Sequence, residues 1–214
     1  MLGLNLQATQ NTVVFAPHLP ADWGHTSVEN IRLPHSTLAF ELSQDIDGVD
    51  LEVKNDGAPT KVVFDPQIPA GAEQIEARCD NRAVAAHPEK FTEDEHVKVE
   101  IEAASGATHC HIRLAGGVFV FTRQPAPQTG DDSTAIKITQ LHLQNHDLQI
   151  DADVNASGSS TFFIQSAWKI VAFSGATVLP LSDHRYQVTV QASSARANSL
   201  GFAPTHVEIG FSDK

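Results

Sequence analysis

The stretch TLAFELSQDIDGVDLEVKNDG (residues 37–57) decides the fold. Leu38, Phe40 and Leu42 alternate with Ala39, Glu41 and Ser43, and Val49, Leu51 and Val53 alternate with Asp50, Glu52 and Lys54. A period of two describes half-buried antiparallel strands, apolar side inward and polar side outward. Asn55-Asp56-Gly57 reads as a closing turn. Val28, Asn30-Ile31 and Leu33 lead into a turn at Pro34-His35, and the same alternation recurs before Ser105-Gly106 (Val97, Val99, Ile101). No stretch keeps an i, i+3, i+4, i+7 apolar spacing beyond a turn or two, so the chain is expected to be all-β, an antiparallel β-sandwich.

Between Thr122 and Ser133 the chain reads TRQPAPQTGDDS, a proline-rich linker or long crossover. It predicts a first β-sandwich over 1–122, a linker over 123–132 and a second sandwich-like unit over 133–214. The two parts echo each other. DEHVKVEIEAAS (94–105) resembles DHRYQVTVQASS (183–194), and THCHIRL (108–114) resembles THVEIGF (205–211). TLAFELSQDIDGVDLEVKN (37–55) also corresponds loosely to DLQIDADVNASGSSTFFIQ (147–165), which suggests two related β-units.

The 26 acidic residues against 14 basic ones give a net charge of −12, which disfavours phosphate backbones and anionic membrane surfaces as partners. No apolar run approaches the ~18 residues of a membrane span, and the first residues carry neither a basic region nor an apolar core of a signal peptide. Neither nucleic acid nor membrane is therefore expected as a partner. Cys79 and Cys110 read as small buried hydrophobes, with a bridge between neighbouring strands as the alternative. In an extended segment His109, His111 and Arg113 share the face opposite Cys110, Ile112 and Leu114, a solvated strand face lacking further metal ligands. His18, His25, His35, His87 and His96 lie near turn signals and read as surface residues.

Motifs for phosphate cradles, dinucleotide sites, zinc proteases and serine nucleophile elbows are missing from the sequence, and no cofactor is expected. Asp45, Asp47 and Asp50 lack the spacing of a calcium loop. Glu89, Glu93, Asp94 and Glu95 form the densest carboxylate group, but an acidic run ahead of a strand is ordinarily a solvated loop.

One stretch is more specific. GLNLQATQNTVVFAPHLPADWGHTSVENIRL (3–33) resembles the segment that follows the catalytic helical toroid in bacterial six-hairpin glycosidases. These are the amylo-α-1,6-glucosidase (glycogen-debranching-like) and GH63-like enzymes, with some likeness to α-L-rhamnosidases. The run carrying the likeness is Gly3-Leu4, Phe15, Pro17, Leu19-Pro20 and Trp23. VVFDPQIPAGAEQIEARCDNRAV (62–84) is similar to a later part of the same region, although Asp80-Asn81-Arg82 stands where the family has Asn-Gly. The resemblance implies a non-catalytic C-terminal accessory sandwich. Its partner would be the catalytic domain of a glycoside hydrolase, in the same chain or a separate one. In such enzymes the toroid carries the acid and base, so no catalytic residue transfers to this sequence.

Pro17 and Pro20 remove backbone donors and fix φ, so HLPADW is expected to leave the sheet as a rigid corner presenting Leu19 and Trp23. Trp23 reads as a core or interface anchor, and Trp168 and Tyr186 as the remaining candidates for sugar contact. A carbohydrate-binding module is the second reading, and a free-standing glycosidase without a recognisable motif the third. With eleven Phe against two Trp and one Tyr, the aromatic content favours core over sugar platform.

Overall fold

The computed structural model describes residues 2–91, 94–123, 129, 135–156, 158–182, 184–192 and 197–212. They form strands and one short 3-10 turn, Ala8–Gln10, with no α-helix among the described residues. The chain divides into two compact units, Met1–Gly117 and Val118–Lys214.

The first unit holds β1 (Leu4–Gln7), β2 (Thr12–Phe15), β3 (His25–Leu33), β4 (Ser36–Gln44), β5 (Gly48–Gly57) and β6 (Thr60–Phe64). It continues with β7 (Gln67–Ile68), β8 (Glu73–Cys79), β9 (Arg82–Val84), β10 (Ala86–Lys90), β11 (Glu95–Ala103) and β12 (Gly106–Ala115). One sheet has the order β1-β2-β6-β11-β10 with β7 beside β11, and the other β3-β4-β5-β12-β8-β9. The pairing is antiparallel except between β2 and β6.

The period-two pattern explains the core. Leu38, Phe40, Leu42, Leu51 and Val53 of the second sheet are buried, as are Val13, Phe15, Val62, Phe64, Val97 and Val99 of the first. Phe15 packs on Phe40 at 4.9 Å and on Phe64 at 5.9 Å between ring centres, so one ring ties the two sheets together. Burying each such side chain stabilises the unit by about 1.5–3 kcal/mol.

Two glycines answer steric demands. At Gly3 (φ +55°) a Cβ would stand 1.9 Å from the Ala16 carbonyl oxygen, and the Gly3 carbonyl accepts the Ala16 N–H at 2.9 Å. At Gly57 (φ +143°) a Cβ would stand 2.3 Å from the His35 oxygen. Gly57 belongs to the end of β5, opposite Ser36, so the expected turn at Asn55-Asp56-Gly57 is corrected. Asn55 is buried there, and its Nδ2 donates to the carbonyls of Ala58 and Ala103, each at 2.9 Å.

The two cysteines are bridged rather than free: Cys79 of β8 and Cys110 of β12 are direct cross-strand partners and form a disulfide, Cα atoms 4.1 Å apart. Register across the ladder, not spacing in sequence, brings them together.

The second unit holds β13 (Val118–Phe121), β14 (Lys137–Gln144), β15 (Asp147–Asn155), β16 (Ser159–Ser166), β17 (Lys169–Ser174), β18 (Thr177–Ser182), β19 (Arg185–Gln191) and β20 (Phe202–Ser212). Its sheets have the orders β13-β16-β19-β18 and β14-β15-β20-β17. Leu148, Ile150, Phe162, Ile164, Val188, Val190, Val207, Ile209 and Phe211 are among its buried side chains. Residues 118–121, read from sequence as the end of the first domain, pair with β16 and belong to this unit. The linker expected over 123–132 lies mostly outside the described residues.

Candidate functional site

The proline-framed corner leaves the sheets as expected. Residues 16–24 are in no strand; they carry the chain from β2 to β3. Its backbone is anchored from several sides: Gln67 N–H donates to the Pro17 carbonyl at 3.2 Å, and Trp23 N–H to the Pro20 carbonyl at 2.9 Å. Pro17 and Leu19 are buried within the unit, Pro20 is exposed, and Trp23 is 54% exposed. The two anchor residues therefore part company, Leu19 facing the core and Trp23 facing out.

Beside this corner the fold gathers groups far apart in sequence. His18 Nδ1 lies 3.3 Å from Asp94 Oδ2, and His96 Nε2 lies 3.4 Å from the same oxygen. The two imidazole rings are 4.5 Å apart between centres. His96 is only 4% exposed, so its reading as a surface residue is corrected. It lies on the same face of β11 as the exposed Glu100 and Glu102, and it is buried because His18, Asp65 and Phe91 close around its ring. Its Nδ1–H donates to the Asp65 carbonyl at 3.0 Å, and its ring stands nearly perpendicular to that of Phe91, 5.6 Å between centres. Burial holds the Asp65 carboxyl above the ordinary carboxylate range, with the neighbouring His96 opposing that shift.

The acidic run around residues 89–95 is thus not simply a solvated loop. Asp94 serves two histidines, and Glu95 Oε1 accepts from Lys90 Nζ at 2.6 Å and from Gly71 N–H at 3.2 Å. Glu93 lies outside the described residues.

A second polar feature is the outer face of the β3-β4-β5-β12-β8-β9 sheet. There a shallow cleft of about 570 Å³ is lined by His25, Glu41, Asp50, Glu52, Arg78, Asp80, His109 and His111 among others. His109 and His111 face out and Cys110 and Ile112 face in, as alternation requires. The cleft's acids are already engaged: Asp50 accepts from His111 Nδ1 at 2.7 Å, Glu41 from Lys54 at 2.6 Å, and Asp80 from the His109 N–H at 3.0 Å. Lys54 holds the Glu41 carboxyl below the ordinary range, first by its hydrogen bond. Asp45, considered for calcium, instead caps a turn by accepting the N–H groups of Asp47 and Gly48, both at 2.9 Å. Among the described residues, no Phe, Tyr or Trp lines the cleft.

The two rings considered for sugar contact are core residues. Trp168 is 7% exposed and Tyr186 9%. Trp168 packs between His146 and Phe211 at 4.3 and 5.9 Å, so it offers no open face for stacking. Tyr186 sits at an inward position of β19, opposite Ile164.

The described residues therefore define a tandem of β-sandwich units, the first bearing a corner where two imidazoles and a carboxylate meet. No family model matches the chain, and no curated protein matches it. Among solved structures, the chain is similar to Ara127N-Se, a GH127 β-L-arabinofuranosidase from Geobacillus stearothermophilus T6, at 10% identity and a TM-score of 0.38, over 96% of this chain and 32% of that one. It is also similar to the uncharacterized protein lmo2446 from Listeria monocytogenes EGD-e, at 13% identity and a TM-score of 0.39, over 95% of this chain and 21% of that one. The chain spans about a third or less of the length of both structures.

Proposed function

We propose that this chain is a non-catalytic accessory β-sandwich region of a glycoside hydrolase that docks on a helical-toroid catalytic domain. The observation that carries the reading is Trp23. A large indole stands 54% exposed on a corner that two prolines stiffen and buried Leu19 anchors. A rigid, exposed aromatic costs little ordering entropy on association and is a typical interface hot spot. The likeness of residues 3–33 to the segment after the toroid supplies the expected partner. Exposed Leu2, Leu4 and Leu6 of the N-terminal stretch add apolar surface in the same unit.

The test has two stages. DNA upstream of the codon for Met1, or adjacent to this reading frame, encodes a six-hairpin domain in this reading. Co-expressed with that domain, the chain co-purifies, and Trp23→Ala weakens the association about thirtyfold or more, as hot-spot truncation does. Absence of any toroid in the neighbouring DNA, or an unchanged affinity for Trp23→Ala, would overturn the proposal.

A further inference from the structure

We propose that His18 Nδ1, Asp94 Oδ2 and His96 Nε2 form a three-ligand site for one zinc ion. Ligand atoms around a tetrahedral zinc with bonds of about 2.0–2.1 Å stand about 3.3–3.4 Å apart. The two contacts to Asp94 Oδ2 are 3.3 and 3.4 Å, and all three atoms lie within 4.8 Å of one another.

The ligands are supported from behind. His96 donates Nδ1–H to the Asp65 carbonyl, so in the neutral ring Nε2 is the lone-pair nitrogen aimed at the cluster. Asp65 Oδ1 lies 3.6 Å from the same Nδ1, buried and without a hydrogen-bond partner. A backing carbonyl and carboxylate that orient a histidine are the usual outer partners of a metal-bound imidazole.

Two imidazoles and one carboxylate suit a borderline divalent ion such as zinc, whereas calcium and magnesium take oxygen donors. His96 supplies a buried fixed ligand, and His18, exposed on the corner, leaves an entry path. With three protein ligands the fourth position is open to water. The ion would join the corner that carries Trp23 to the start of β11, residues separated by more than seventy positions in the chain.

The test uses the full chain without a histidine tag, stripped with chelator and titrated with Zn²⁺ by calorimetry. One equivalent binds, Ca²⁺ does not compete, and Co²⁺ in place of zinc gives the visible bands of a tetrahedral centre. His18→Ala, which alters an exposed ring and spares the core, lowers the affinity by more than the ~10–100-fold typical of losing an outer partner. Asp94→Asn does the same. His206→Ala, at the other described histidine flanked by two carboxylates, leaves binding unchanged. Failure to bind one equivalent, unaltered binding by His18→Ala, or equal affinity for Ca²⁺ would each sink the proposal.

Discussion

Asp80 and Asn81 show how a single dihedral settles what a motif leaves open. Both have positive φ, +47° and +64°, and they close β8 onto β9 as a two-residue hairpin loop. That turn needs left-handed backbone at both central residues, which Asp and Asn tolerate better than other side chains, so the missing glycine is no obstacle. Electrostatics at this scale are testable at His206. Its ring nitrogen donates to Asp151 at 2.7 Å, and this hydrogen bond raises its pKa above the ordinary 6.5, with Glu208 assisting. A raised folded-state pKa stabilises the fold fully below the unfolded value, and the gain is lost as pH rises through the folded one. The pair is half-exposed, so the gain is at most about 1 kcal/mol. An NMR titration should place His206 above 6.5 in the native chain, and Asp151→Asn should bring it down. Which histidines sit in water was only partly legible: His109 and His111 follow strand alternation, but His96, on the outward face of β11, is covered by His18, Asp65 and Phe91 from other segments. The burial of Trp168 and Tyr186 is equally a property of the packed sheets.

Among the elements, those with strict alternation could be read directly, β4, β5, β11 and β12 above all. β17 and β18 could not, because most of their side chains are exposed and their pattern gives no inward face. The parallel pairing of β2 with β6 was hidden for another reason: direction follows from the path of the intervening chain, which crosses to the other sheet and back. The disulfide belongs to this scale as well. It joins β8 to β12 across a sequence separation of 31, and loop-closure entropy for such a span corresponds to about 3–4 kcal/mol. Replacing both cysteines by alanine should lower the unfolding free energy of the first unit by about that amount, measured from its urea midpoint. The loss should match that caused by reductant in the native chain.

The whole molecule repeats itself. Aligning β4, β5, β12 and β8 with β14, β15, β20 and β17, and β6, β11 and β10 with β16, β19 and β18, preserves both sheet order and chain order. The strand beside this set differs, since β2 runs parallel to β6 whereas β13 runs antiparallel to β16. Two of the sequence echoes fall on aligned strands, β11 with β19 and β12 with β20. The third does not: it sets β4 and β5 against β15 and β16, one strand out of step, because amphipathic hairpins resemble each other whatever their place. The candidate site was not legible at all. His18 lies in one segment and Asp94 and His96 in another, and only the closed sandwich makes them neighbours.

A tandem built on one strand order carries a risk during folding. β11 and β19 offer nearly interchangeable apolar rows, so each is a plausible tenant of the other's slot while the sheets assemble. Such mispaired species are traps that must open before the native pairs can form. The joined chain should therefore refold more slowly, and with more aggregation, than residues 1–117 and 118–214 refolded separately, as followed by stopped-flow fluorescence and light scattering. Equal rates and yields would mean that the two strand sets discriminate fully from the outset. A bridge that forms only when β8 meets β12 would then mark, in time, the moment at which the first half becomes committed to its own partners.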